Sequence, residues 1–142
     1  MYKNKKITKP IYIGDIQIGG ISPVSVQSMT KTPTSDVNQT VNQILNLSDN
    51  GCDIVRCAVP DEKSALALKD IVQNSPIPVV ADIHFHYELA LRAIESGVNG
   101  LRLNPGNIRD KSKITDIVQN ANKKNIPIRI GVNFGSLQNL LL

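Results

Sequence analysis

Five short apolar runs alternate with stretches of helical period along this chain, and that alternation restricts the folds open to it. The runs occupy residues 24–29, 53–59, 78–84, 100–104 and 126–133. They read as strands, nearly continuous in apolar character, as a parallel sheet covered on both faces requires. Between them lie four apolar stripes: Val37, Val41, Ile44 and Leu45; Ala65, Leu68 and Val72; Ala90, Ala93, Ile94 and Gly97; and Ile114, Ile117, Val118 and Ala121. Each stripe has the spacing of a helix with one buried side. Thr34-Ser35-Asp36 is a start signal, while Asn50-Gly51, Ser96-Gly97 and Asn74-Ser75-Pro76 are stop signals. The repeat length of roughly 22–29 residues is that of a βα unit. Ahead of the repeats, residues 11–21 alternate around Gly14-Asp15 and read as a β-hairpin.

Right-handed βαβ crossovers build either an open doubly wound sheet or a barrel. The turn after the first strand is Thr30-Lys31-Thr32-Pro33, without the glycine fingerprint of a dinucleotide fold, which favours a TIM (β/α) barrel. A complete barrel has eight strands and about 250 residues. The expectation is therefore an incomplete barrel, about five of eight βα units preceded by a hairpin. Five strands cannot close, and two open edges would invite association, so the sequence reads as a piece of a longer protein. Its expected organisation is a basic tail at residues 1–10, followed by the front part of a substrate-binding barrel at 11–142.

Composition narrows the function classes. The net charge of +4 resides in Lys3, Lys5, Lys6 and Lys9; without them the 12 acids balance the remaining Lys and Arg. A nucleic-acid reader carries its basic charge on a folded face, so the tail is read as solvated and no nucleic-acid partner is expected. No apolar run approaches the roughly 18–20 residues of a membrane span. The basic N-terminus lacks the apolar stretch of a signal peptide, and a cytoplasmic location follows by default. Cys52 and Cys57 are too few for a disulfide framework. Their spacing, with no third Cys, makes no metal site, and both are read as small buried hydrophobes.

The polar residues that interrupt the apolar runs carry the chemistry. Side chains alternate along a strand, so Asp82 and His84 share a face, as do Arg102 and Asn104, and Arg129, Gly131 and Asn133. Arg56 ends the second run, and Gln27 and Ser28 end the first. In a barrel the C-terminal ends of the strands form the active-site mouth. Three arginines converging there need anions, because an unpaired buried charge costs several kcal/mol. Asp82 supplies one. The surplus points to an anionic ligand, and arginine forks suit phosphate oxygens. The opposing reading pairs each arginine with an acid on the outer shell. His84, beside Asp82, is a candidate donor or proton-transfer group. His86 is read as a solvent-facing or capping residue. Asn104-Pro105-Gly106-Asn107 forms a tight turn whose backbone N–H groups are able to meet a phosphate.

Five strings in order carry a resemblance: Ser25-Val26-Gln27-Ser28-Met29-Thr30, Asp53-Ile54-Val55-Arg56, Val80-Ala81-Asp82-Ile83-His84-Phe85, Leu101-Arg102-Leu103-Asn104-Pro105-Gly106-Asn107-Ile108, and Pro127-Ile128-Arg129-Ile130-Gly131-Val132-Asn133. From about residue 11 to residue 137 the chain resembles the N-terminal barrel domain of the IspG (GcpE) family, the 4-hydroxy-3-methylbut-2-en-1-yl diphosphate synthases. The resemblance implies an oxidoreductase of the non-mevalonate isoprenoid pathway. Such an enzyme opens the ring of 2-C-methyl-D-erythritol 2,4-cyclodiphosphate by two-electron reduction with loss of water. Electrons come from ferredoxin or flavodoxin through a 4Fe-4S cluster on a separate C-terminal domain, which closes the barrel of the other subunit in a homodimer. By motif, Arg56, Arg102 and Arg129 would clamp the diphosphate, and Asp82, His84, Asn104 and Asn133 would orient the substrate or those arginines.

The cluster ligands of the family, its later barrel strands, a further lysine and a catalytic glutamate have no match in these 142 residues. The chain alone is therefore expected to be inactive and to hold no metal. Phe134 stands where the family pattern leads one to expect a small residue. The alternatives are a non-catalytic remnant, or another anion-binding barrel such as a dihydropteroate-synthase-like enzyme.

Overall fold

A computed structural model describes residues 7–84, 86–104, 108 and 110–131. The hairpin pairs β1 (Ile11–Ile13) with β2 (Ile16–Ile18) in antiparallel register. There follow β3 (Gln27–Met29), α1 (Val37–Asp49), β4 (Ile54–Ala58), α2 (Glu62–Asn74), β5 (Val79–Ile83), α3 (Tyr87–Glu95), β6 (Gly100–Leu103), α4 (Lys111–Lys123) and β7 (Ile128–Ile130). Strands β3 to β7 form one parallel sheet in chain order. This is the expected run of βα units from a barrel. The expected fifth helix, Phe134 and the last residues of the 126–133 run lie outside the described residues, as does the turn at 105–107.

The first strand is shorter than expected. Pairing with β4 begins where Asp53 and Ile54 donate N–H groups to Val26 O. Among the described residues no strand pairs with those before it, and Val24 is exposed. The helices follow their stripes with two corrections. Leu45 and Val118 sit on the flanks of α1 and α4 and remain exposed, whereas Thr40, absent from the expected stripe, is fully buried one turn before Ile44. Thr40 is tolerated there because its hydroxyl is within 2.9 Å of Thr32 Oγ1 and donates to Pro33 O at 3.1 Å. Gln43 Oε1 also accepts the Lys31 and Thr32 N–H groups. The turn leaving β3 is thus pinned to α1.

The two faces of the sheet have different fates because side chains alternate. Val55, Cys57, Val79, Ala81, Ile83, Leu101 and Leu103 pack under the helices against Ile44, Leu68, Ile71, Ile94 and Ile117. The other face carries Ile54 then Arg56, Val80 then Asp82, and Gly100 then Arg102. Its N-terminal half is apolar and is covered by the hairpin, with Ile13 buried against Ile54 and Val80. Two glycines allow this approach. A Cβ at Gly14, whose φ is +60°, would lie 2.8 Å from Pro78 Cγ, and one at Gly100 would meet Val80 and Ile13. The hairpin thereby plugs the bottom of the barrel and leaves the charged half of the same face open at the top.

Asp36, Asp61 and Asp110 cap α1, α2 and α4 by accepting backbone N–H groups. Hydrogen bonds from Ser64 to Asp61, and from Ser112 to Asp110, hold both carboxyls below their ordinary value of 3.8. A depressed folded-state pKa adds stability above the ordinary value and loses it as pH falls through the folded value. Melting temperature is therefore expected to fall below pH 4, and Asp61→Ala to flatten that fall. An unaltered acid slope in the variant would remove Asp61 as a cause.

Candidate functional site

The parallel register assembles the open upper half. Asp82 on β5 stands opposite Arg102 on β6, and Arg102 opposite Arg129 on β7. On the other side Asp82 faces Ala58, with Arg56 two residues earlier on the same face of β4. Asp82 is the centre: its side chain is only 3% exposed, with Arg102 Nη1 3.2 Å from Oδ1 and Arg56 Nε 3.3 Å from Oδ2. His84 Nε2 is 3.9 Å from the same Oδ2, just past the strand. One buried carboxylate thus serves two arginines, and the ensemble keeps a surplus positive charge. The outer-shell pairing of each arginine with its own acid does not occur at Arg56 or Arg102.

The two arginines differ in how far their donors are committed. Arg102, nearly buried, also donates Nη2–H to Gly131 O at 3.2 Å. Arg56 donates Nη2–H to the thioether of Met29 at 3.2 Å, a weak acceptor. Its buried Nε is close enough to Asp82 to be ion-paired but is not aligned to hydrogen-bond to it or to any other described group. Arg129 stands apart. It donates from Nη1 to Gln27 Oε1 at 2.9 Å, across the inside of the sheet from β7 to β3. It lines a cavity of about 470 Å³ with Gln27, Ser25, Gly100 and Ile13. Asn104 is buried at the end of β6. Asn133 lies outside the described residues. The structure therefore brings Arg56, Asp82, His84 and Arg102 together and sets Arg129 against Gln27.

Three contributors had a weaker signal in the sequence. Met29 lies in register beside Arg56, and only the strand pairing shows it. Gln27 meets Arg129 from 102 residues away. Gly131 contributes a carbonyl, which no side-chain pattern encodes. His86 occupies the N-cap position of α3 but makes no side-chain cap bond.

Neither cysteine suits a metal or a cluster. Cys52 Sγ donates to Ile54 O at 3.1 Å, and Cys57 is fully buried on the helix side of β4, where burial raises its thiol pKa. Among the described residues no three His, Cys, Asp or Glu side chains gather as a metal-binding group. No described helix is long and apolar enough to cross a membrane.

A family model described as the GcpE TIM-barrel domain matches residues 8–142. Proteins named 4-hydroxy-3-methylbut-2-en-1-yl diphosphate synthase (flavodoxin) are similar over nearly the whole chain. The one from Sulfurihydrogenibium sp. (strain YO3AOP1) is 55% identical over 139 residues, 98% of this chain and 39% of the relative. That from Clostridium perfringens is 56% identical over 98% of this chain and 40% of the relative, and that from Malacoplasma penetrans 53% over 96% and 38%. The chain thus spans about 39% of the length of such relatives. Among solved structures, dihydropteroate synthase from Yersinia pestis superposes with a TM-score of 0.62 at 8% identity, covering 84% of this chain and 44% of that one. The Burkholderia cenocepacia enzyme gives 0.62 at 13%, covering 90% and 46%. At such identity the likeness speaks for the barrel fold alone.

Proposed function

The chain belongs to the GcpE TIM-barrel domain family, and from that premise we propose that it supplies the diphosphate-holding part of a 4-hydroxy-3-methylbut-2-en-1-yl diphosphate synthase. The substrate in this reading is 2-C-methyl-D-erythritol 2,4-cyclodiphosphate. The reaction opens its ring by two-electron reduction with loss of water.

One observation carries the reading: a single buried carboxylate, Asp82, is shared by two arginines at the open end of a half-plugged barrel. The cluster is one negative charge short. A diphosphate supplies that charge, and the exposed end of the Arg56 guanidinium, whose Nη2 has only the Met29 thioether as described acceptor, supplies donors for it. Arg102 presents its guanidinium from a fixed seat. Arg129, turned to Gln27, would have to leave that partner to join the clamp. His84 and Asn104, and by motif Asn133, serve in this reading as orienting groups. Ring opening leaves charge on the phosphate oxygen released from carbon, and cations already in place stabilise that charge without reorganising. The electrons come from a 4Fe-4S cluster, for which the described residues offer no fitting ligand set. That cluster, its ferredoxin or flavodoxin donor and the homodimer belong to the whole protein. The barrel's part is to bind, orient and hold the anion.

The test is turnover. The whole protein, prepared without oxygen and supplied with reduced flavodoxin, is expected to convert the cyclic diphosphate into the linear hydroxymethylbutenyl diphosphate, followed by phosphorus NMR. Unconsumed substrate in the presence of an intact cluster would reject the reading.

A further inference from the structure

Gly131 follows β7 directly and is not among the described glycines with positive φ. Its backbone therefore does not call for glycine, but its surroundings do. The three atoms nearest to a Cβ built there all belong to the Arg102 guanidinium. Nη2 would be 2.6 Å away, Cζ 2.8 Å, and Nε closer still. The Gly131 backbone is not free to retreat, since its N–H donates to Leu103 O at 2.8 Å while its carbonyl accepts Arg102 Nη2 at 3.2 Å. On its other side Arg102 is held by Asp82 at 3.2 Å. The guanidinium is thus clamped between a buried carboxylate and a wall that has no side chain.

We propose that Gly131 is a positioning residue whose missing side chain makes the seat for Arg102. A methyl group there meets the guanidinium first and moves it off Asp82. The consequence for binding rests on the reading of Arg102 as a diphosphate ligand. The seat itself does not.

The experiment compares four versions of the whole protein: wild type, Gly131→Ala, Arg102→Ala and the double variant. Each is measured for melting temperature and for binding of inorganic pyrophosphate at fixed salt. Gly131→Ala is expected to lower the melting temperature and to weaken pyrophosphate binding about 10- to 100-fold, the effect of losing a charged hydrogen bond. In the Arg102→Ala background the same alanine is expected to change neither quantity, because the atoms it would strike are gone. If Gly131→Ala does not fold, recovery of folding in the double variant supports the seat equally. An equal loss of melting temperature in both backgrounds, or a double variant that fails to fold where Arg102→Ala folds, overturns it. Coupled melting temperatures with one pyrophosphate affinity shared by all four proteins would keep the seat and reject the diphosphate reading instead.

Discussion

Replacing Asp82 with alanine is expected to destabilise the protein by about 3–5 kcal/mol, the cost of leaving buried charge without its partner. Two guanidinium groups would lose the carboxylate between them. Arg102 is the more affected, since it is nearly buried and its remaining described partner is a neutral carbonyl. Arg56, more open to water, is able to swing outwards. Asp82→Ala combined with Arg102→Ala should recover much of the loss, because the double variant removes the stranded cation along with its partner. Chemical denaturation of the single and double variants measures both numbers. A single-variant loss within 0.5 kcal/mol, typical of an ordinary surface change, would mean that the cluster is well solvated and that the charge argument fails.

Arg56→Ala and Arg102→Ala are each expected to weaken binding of the cyclic diphosphate by about 1.5–3 kcal/mol, the range for hydrogen bonds to charged groups. Their side effects differ. Arg56 gives up a thioether contact and one ion pair, so its loss falls mainly on the ligand. Arg102 also gives up Gly131 O and its place opposite Asp82, so its removal costs stability as well. Calorimetric titration in the whole protein, alongside melting curves, separates the two. Equal affinity in wild type and both variants would remove the clamp assignment. Arg102→Lys should not restore affinity, because a lysine cannot hold Asp82 Oδ1 and the Gly131 carbonyl as the planar guanidinium does.

Much of the fold is legible in the sequence because a parallel sheet under helices imposes two periods at once. Residues such as Val79, Ala81 and Ile83 alternate strictly with Val80 and Asp82, and the helix stripes at Leu68 and Ile117 follow the longer period. The same alternation places Asp82, Arg102 and Arg129 on one face. Relative depth is less accessible, because it depends on strand stagger and on how strongly the sheet curls. Arg102 and Arg129 are direct neighbours in register, yet one turns to Asp82 and the other reaches over to Gln27. The start of β3 is not legible, because Val24 and Val26 have strand composition but Val24 pairs with no strand among the described residues. Burial of Thr40 is not legible either, because a hydroxyl in a helix stripe reads as surface until its partner in the Thr32 turn is known. Contributions from backbone and sulfur, at Gly131 and Met29, leave no trace in a search for charged or polar side chains.

The central claim is that the surplus positive charge around Asp82 is the seat of a diphosphate. A crystal structure of the whole protein with the cyclic diphosphate bound tests it most directly. The account predicts phosphate oxygens within hydrogen-bonding distance of the Arg56 and Arg102 guanidinium groups, with Arg102 still against Gly131. A diphosphate bound elsewhere, with Arg56 and Arg102 occupied by Asp82 alone, would contradict it.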